Sequence, residues 1–101
     1  MFIYNITTKV EKSKSENWRK WQLEEHIPDI MGTELFSDFK FYQLLGEDES
    51  EGLTFVLQLY FIKMDNYELY LKAFATPLRE KAIHKWGNNF IAHRTIMQAV
   101  Q

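Results

Sequence analysis

Phe2, Tyr4, Ile6, Thr8 and Val10 alternate along the chain with Ile3, Asn5, Thr7 and Lys9. A period of two over a segment rich in Ile, Tyr, Thr and Val predicts a pleated strand with two distinct faces. The period then lengthens. Trp18, Trp21 and Glu25 recur at helical spacing, with Leu23 and Ile27 on the flank, which predicts a helix over residues 15–26. Ser13 and Glu16 have the spacing of a capping box at its start. Pro28 disfavours α geometry at Ile27 and predicts the end of that helix. Pro28 can also take the first position of a short second turn over 28–31, closed by Gly32.

From residue 38 to 45 the alternation returns, with Phe39 and Phe41 on one face and Tyr42 and Leu44 on the other. The acidic stretch 46–52, bounded by Gly46 and Gly52, predicts a hairpin turn into a third strand over 53–62. This strand is apolar on both faces, which predicts that both are covered. Asp65 and Glu68 repeat the capping-box spacing. Tyr67, Tyr70, Leu71, Phe74 and Leu78 then mark a second helix. Pro77 either kinks it or restarts it after Thr76, and Gly87 is placed to end it. Residues 90–100 alternate again as a fourth strand.

The order β-α-β-β-α-β is the split βαβ, or ferredoxin-like, arrangement. It predicts an α+β fold in which two right-handed crossovers set both helices on one face of a four-stranded antiparallel sheet. The helices leave the other face open, although strand three and parts of strands one and four are apolar there. A patch of that kind is larger than soluble monomers usually expose. It predicts a homodimer, two sheets packed face to face around a two-fold axis as a dimeric α/β barrel.

Composition narrows the class. A chain of 101 residues is expected to form a single domain, residues 1–101. Lys and Arg total 12 against 14 Asp and Glu, and that balance argues against a nucleic-acid or anionic-membrane partner. The absence of cysteine excludes disulfides and thiolate chemistry, and favours a reducing, cytoplasmic setting. No signal segment is visible, and the longest apolar run, 55–62, is far below the roughly 20 residues that cross a bilayer. Aromatic residues make up 16% of the chain, and their periodicity assigns most of them to packed layers.

Several stretches resemble a known family over nearly the whole chain: the opening Met1-Phe2-Ile3-Tyr4-Asn5, the run Trp18-Arg19-Lys20-Trp21 leading into Glu25-His26-Ile27-Pro28, the strand Leu53-Thr54-Phe55-Val56-Leu57-Gln58 and the closing His93-Arg94-Thr95. The sequence is similar to a bacterial family of uncharacterised proteins in the dimeric α/β-barrel superfamily. The resemblance implies a ferredoxin-like protomer and a sheet-to-sheet dimer. It implies no particular chemistry, because the superfamily spans monooxygenases, isomerases and ligand-binding regulatory domains.

His26 is the first candidate for chemistry. Placed at the end of helix one beside Glu24 and Glu25, it has the residue type for a general base or an imidazole ligand. The bland alternative is a helix-end histidine meeting the dipole. Arg94 and Gln58 are polar residues in apolar strands. Arg94, if buried, must be paired or face a cavity, where it would suit a carboxylate; it would equally serve by pairing across the dimer. Gln58 is expected to bond with its neighbours, Asn5 among them. Trp18 and Trp21 share a helix face, either as core or as the wall of a cleft for a flat ligand. His26, His84 and His93 show no metal-ligand spacing, and no phosphate loop, nucleophile elbow or haem motif is present. Neither metal nor cofactor is expected. The leading expectation is a dimer that binds a small, mostly apolar molecule between helix one and the sheet, through Trp18, Trp21, His26, Gln58 and Arg94. A cofactor-independent monooxygenase or isomerase using His26 as acid or base is the enzymatic alternative. A purely structural or protein-interaction dimer is the third.

Overall fold

A computed structural model describes residues 1–101. Strands β1 (Phe2–Glu11), β2 (Asp38–Gln43), β3 (Gly52–Phe61) and β4 (Phe90–Gln98) form one antiparallel sheet in the order β2-β3-β1-β4. The two ten-residue strands are central and pair along their whole length, Phe2 opposite Phe61 and Glu11 opposite Gly52. Helix α1 covers residues 15–31 and helix α2 residues 64–86. The shortest extent of the molecule is 19 Å, one helix layer on one sheet layer at about 10 Å each.

The alternation decides which face the helices cover. Tyr4 and Val10 of β1 and Phe55, Leu57, Leu59 and Phe61 of β3 are buried beneath them. The core is not continuous. One cluster gathers Tyr4, Ile27, Ile30, Leu59, Phe61 and Tyr70. The other gathers Val10, Trp18, Trp21, Phe55, Ala82 and Trp86. The seam between them runs beneath the middle of α1.

Both helices differ from the sequence pattern at their prolines. Neither Pro28 nor Pro77 ends a helix. Instead α1 runs as an α-helical Ser15–Trp21, a π-helical turn Gln22–His26 and an α-helical Ile27–Met31. In the same way α2 passes from Met64–Tyr70 through a π-turn, Leu71–Ala75, to Thr76–Trp86. Ile27 is helical, at φ −63° and ψ −45°, and its N–H bonds back to the Gln22 carbonyl, five residues earlier. A proline inside an α-helix clashes with the carbonyl four residues before it. The wider turn immediately ahead of each proline relieves that clash while the helix continues. It also shifts the helix face by one residue, so Leu23 and Glu25 face outward while Ile27 and Ile30 become fully buried.

Neither capping box forms. The Ser13 hydroxyl donates to the Glu11 carboxylate at 2.9 Å, and Glu16 pairs with Arg19. Ser15 anchors the entry to α1, its hydroxyl donating to the Glu11 carbonyl at 2.9 Å. No side-chain cap is present at the start of α2. Gly87 ends α2 as the pattern predicts, at φ +60° with its N–H on the Ile83 carbonyl at 2.7 Å.

The uncovered face carries Ile3, Tyr42, Val56, Tyr60, Ile91 and Met97, but it is not uniformly apolar. Lys40, Gln58, Asn5 and Thr95 stand in register across all four strands and form a polar row through its middle. The Gln58 amide donates to Asn5 at 3.4 Å and accepts from the Tyr60 hydroxyl at 2.7 Å.

Candidate functional site: the seam beneath α1

The π-turn at 22–26 spans the gap between the two core clusters. An α-helix keeping the phase of Trp18 and Gln22 would turn Glu25 inward; the extra residue in the π-turn brings in His26 instead. Gln22, 6% exposed, and His26 then face the sheet together. Beneath them lies a cavity of about 50 Å³. Its floor crosses the sheet from Phe41 on β2, over Phe55 and Leu57 on β3 and Ile6 and Thr8 on β1, to Phe90, Ala92 and Arg94 on β4. Trp18 closes it from above, packed on Phe55 with ring centroids 5.2 Å apart. Isolated π-turns within α-helices are often found at functional sites.

His26 stacks on Trp21 at 4.7 Å between ring centroids, and Trp21 in turn meets Trp86 edge-on at 5.9 Å. The His26 Nδ1 is buried without a hydrogen-bond partner. Burial pushes its pKa down to about 4, with Lys81 and Arg94 acting in the same direction and Asp29 against them. The imidazole is therefore neutral near pH 7. Glu24 and Glu25, its sequence neighbours, are exposed and line an outer groove with Lys20 and Lys85. Their proximity to His26 in sequence does not become contact in space.

Arg94 reaches the same cavity, but it stands on an edge strand and is exposed rather than buried. The chain's two ion pairs are Arg19–Glu16 and Lys81–Asp29, so Arg94 has no acidic partner. A second guanidinium nearby, that of Arg79, is committed to the buried Tyr4 hydroxyl at 2.8 Å. Burial raises the Tyr70 hydroxyl to about 12, opposed by Arg79 and Arg94.

Trp18, His26 and Arg94 thus meet at one cavity, and Trp21 orients the His26 ring from behind. Gln58 does not join them. Its position on β3 has the opposite parity to Leu57 and Leu59, so its amide lies on the open face of the sheet. Two polar lining residues, Gln22 and Thr8, were not among the candidates that the sequence pattern offered. Gln22 was visible as the residue four after Trp18, and Thr8 as a member of the inward-facing set of β1. No three His, Asp or Glu side chains come close enough to share a metal ion.

Residues 1–100 match the model of a domain of unknown function, DUF4286. The chain belongs to this family. No curated protein matches this DUF4286 chain in sequence. Its fold is widely shared. A dimeric ferredoxin-like protein from an uncultured marine organism superposes with a TM-score of 0.74 at 9% identity, over 99% of this chain and 95% of the other. A protein of the ethyl tert-butyl ether (EthD) family from Bacillus halodurans gives 0.69 at 13% identity, over 99% and 100%. The cofactor-independent oxygenase SnoaB from Streptomyces nogalater gives 0.63 at 8% identity, over 99% and 94%. At these identities the likeness establishes the ferredoxin-like fold of the DUF4286 chain. No helix is long and apolar enough to cross a membrane.

Proposed function

We propose that this DUF4286 protein is a cytoplasmic homodimer that binds a small, mostly apolar molecule in the seam beneath α1. The observation that carries this reading is the convergence of Thr8, Gln22, His26 and Arg94 on an otherwise aromatic and aliphatic cavity. Mostly apolar walls with a few convergent polar groups are the usual make-up of a small-molecule site. Unpaired polar groups in a core are costly unless something satisfies them. The dimer is supported by the open face of the sheet, where Ile91 is 66% exposed and Met97 and Tyr42 are exposed as well, and by the dimeric state of a structural neighbour.

Crystals of protein purified from its own cells test the reading. Density for a co-purified molecule between Trp18, His26 and Arg94 is the expected result. A cavity whose walls have collapsed together, with the four polar groups bonded to one another, contradicts it.

A second reading makes the protein a cofactor-independent oxygenase or isomerase with His26 as acid or base, and the fold shared with SnoaB favours it. His26, however, is pushed down to about 4. A general base works best with a pKa near the operating pH, so this imidazole is better suited to hydrogen bonding than to proton abstraction.

A further inference from the structure

We propose that the chain has a second binding site outside the seam, a site for a phosphate group where α2 passes over β1 and β4. It is built from Tyr4, Tyr70, Arg79 and Arg94.

The site starts at a buried hydroxyl. Tyr4 is 2% exposed, and its oxygen accepts a hydrogen bond from the Arg79 guanidinium at 2.8 Å. The phenol proton itself finds no acceptor in the chain. Tyr70 packs edge-on against the Tyr4 ring, with 6.2 Å between centroids, and its hydroxyl has no hydrogen-bond partner. The side-chain atoms that are both sealed and partnerless are His26 Nδ1 and Trp86 Nε1, so the Tyr70 oxygen is open to the surface. Across the strand pair Tyr4 faces Ile96, and Arg94 stands two residues before Ile96 on the same face of β4. Diagonal neighbours of this kind are within reach of long side chains. Burial pushes the Tyr70 hydroxyl up to about 12, and Arg79 and Arg94 both act against that rise. Both guanidiniums therefore lie close enough to act on it, and the Tyr70 phenol stays protonated near pH 7 as a donor.

Charge and donor count identify the ligand. Hydrogen-bond donors converge from β1, α2 and β4, and no acceptor of the chain answers them. The ion pairs of the chain are Arg19–Glu16 and Lys81–Asp29, so neither Arg79 nor Arg94 has a carboxylate. Arg79 is half-buried, and a guanidinium set there against a phenol alone keeps its charge uncompensated. Two positive charges match one phosphate dianion, whose three terminal oxygens accept from several directions at once. A carboxylate brings one charge and two oxygens in a plane, and would leave a guanidinium unanswered. No enclosed volume is needed, because Arg94 is exposed and whatever carries the phosphate remains outside. Arg94 also lines the seam, but Tyr4, Tyr70 and Arg79 line no part of it.

Inorganic phosphate, phenyl phosphate and acetate, titrated into the full chain at constant ionic strength, test the proposal. The readouts are calorimetry and the Nε–Hε NMR signals of Arg79 and Arg94. Inorganic phosphate is expected to shift both arginine signals to saturation, with acetate at least tenfold weaker. Arg94→Gln is expected to weaken phosphate at least tenfold and Tyr70→Phe severalfold. Both variants keep the fold, because Arg94 is exposed and Tyr70→Phe retains the packed ring. Phenyl phosphate binding more tightly than inorganic phosphate supports the site as one for phosphomonoesters, and the reverse supports it as one for free phosphate. Equal affinity for phosphate and acetate, or wild-type phosphate affinity in either variant, means an adventitious ion only and overturns the site. A titration without saturation overturns it as well. The seam is unaffected by these outcomes, since its own test is the co-purified molecule.

Discussion

His26 is neutral because of where the π-turn puts it, and its titration is written into the stability of the fold. Its pKa is about 4 in the folded chain and about 6.5 when unfolded. Between those values the unfolded chain binds a proton that the folded chain does not, so stability falls as the pH is lowered through that window. The contribution is full above about pH 6.5, declines towards pH 4 and levels off below it. The full shift corresponds to about 3 kcal/mol. His26→Phe keeps a ring on Trp21 and removes the titration. Urea unfolding from pH 7 to pH 4 should show a declining midpoint for the wild type and a smaller decline for the variant. Equal slopes would mean that the imidazole is not desolvated.

Gly52 shows a different kind of residue-scale constraint. A Cβ built there would overlap the Val10 carbonyl oxygen, which is backbone and cannot turn away. Gly52→Ala must push β1 and β3 apart at the hairpin end. The expected cost is about 2–3 kcal/mol, as for an overpacked core, read as a lower unfolding midpoint. A variant as stable as the wild type would show that the strand ends shift freely.

At the scale of elements, the two π-turns are what the sequence pattern could not supply. Periodicity locates Trp18, Trp21, Tyr67 and Tyr70 correctly, because those positions precede the extra residue. After it the phase slips, and Glu25, Leu71 and Phe74 turn outward where an unbroken stripe would bury them. Pro28 and Pro77 were legible as disturbances, but a local rule cannot choose between stopping a helix and widening it. The burial of Ile27 and Ile30 decides that, and it is tertiary. The explanation is testable by deletion. Removing Leu23 takes out the extra residue and forces Pro28 into regular α geometry, at a cost of about 3 kcal/mol. Adding Pro28→Ala to the deletion should recover most of that loss. Thermal unfolding followed by circular dichroism gives the comparison; no recovery would show that the π-turn serves something other than the proline.

For the molecule as a whole, the fold and its open face were legible in strand alternation alone, because a period of two says which residues share a face whatever covers them. The site was legible only in part. Trp18 was found by its helical spacing, His26 as a titratable residue at a helix end and Arg94 as a polar residue in an apolar strand, whereas Gln58 was separated from them by one step of strand parity, which reverses the face. Its amide instead belongs to the polar row of Lys40, Asn5 and Thr95, which would meet its symmetry copy in a face-to-face dimer. Val56 stands beside that row, and Val56→Lys should raise the dimer dissociation constant at least tenfold while the helix-side core stays intact. Sedimentation equilibrium reads this directly. A wild-type chain that sediments at micromolar concentration as a 12.2 kDa particle would remove the dimer.

The central claim is that the seam beneath α1 holds a small molecule. Native mass spectrometry of protein purified from its own cells tests it most directly, comparing wild type with Ala92→Leu, which fills the cavity floor. The wild-type spectrum should carry a discrete small-molecule adduct that the variant lacks. The same spectrum from both proteins, with or without an adduct, would contradict the claim.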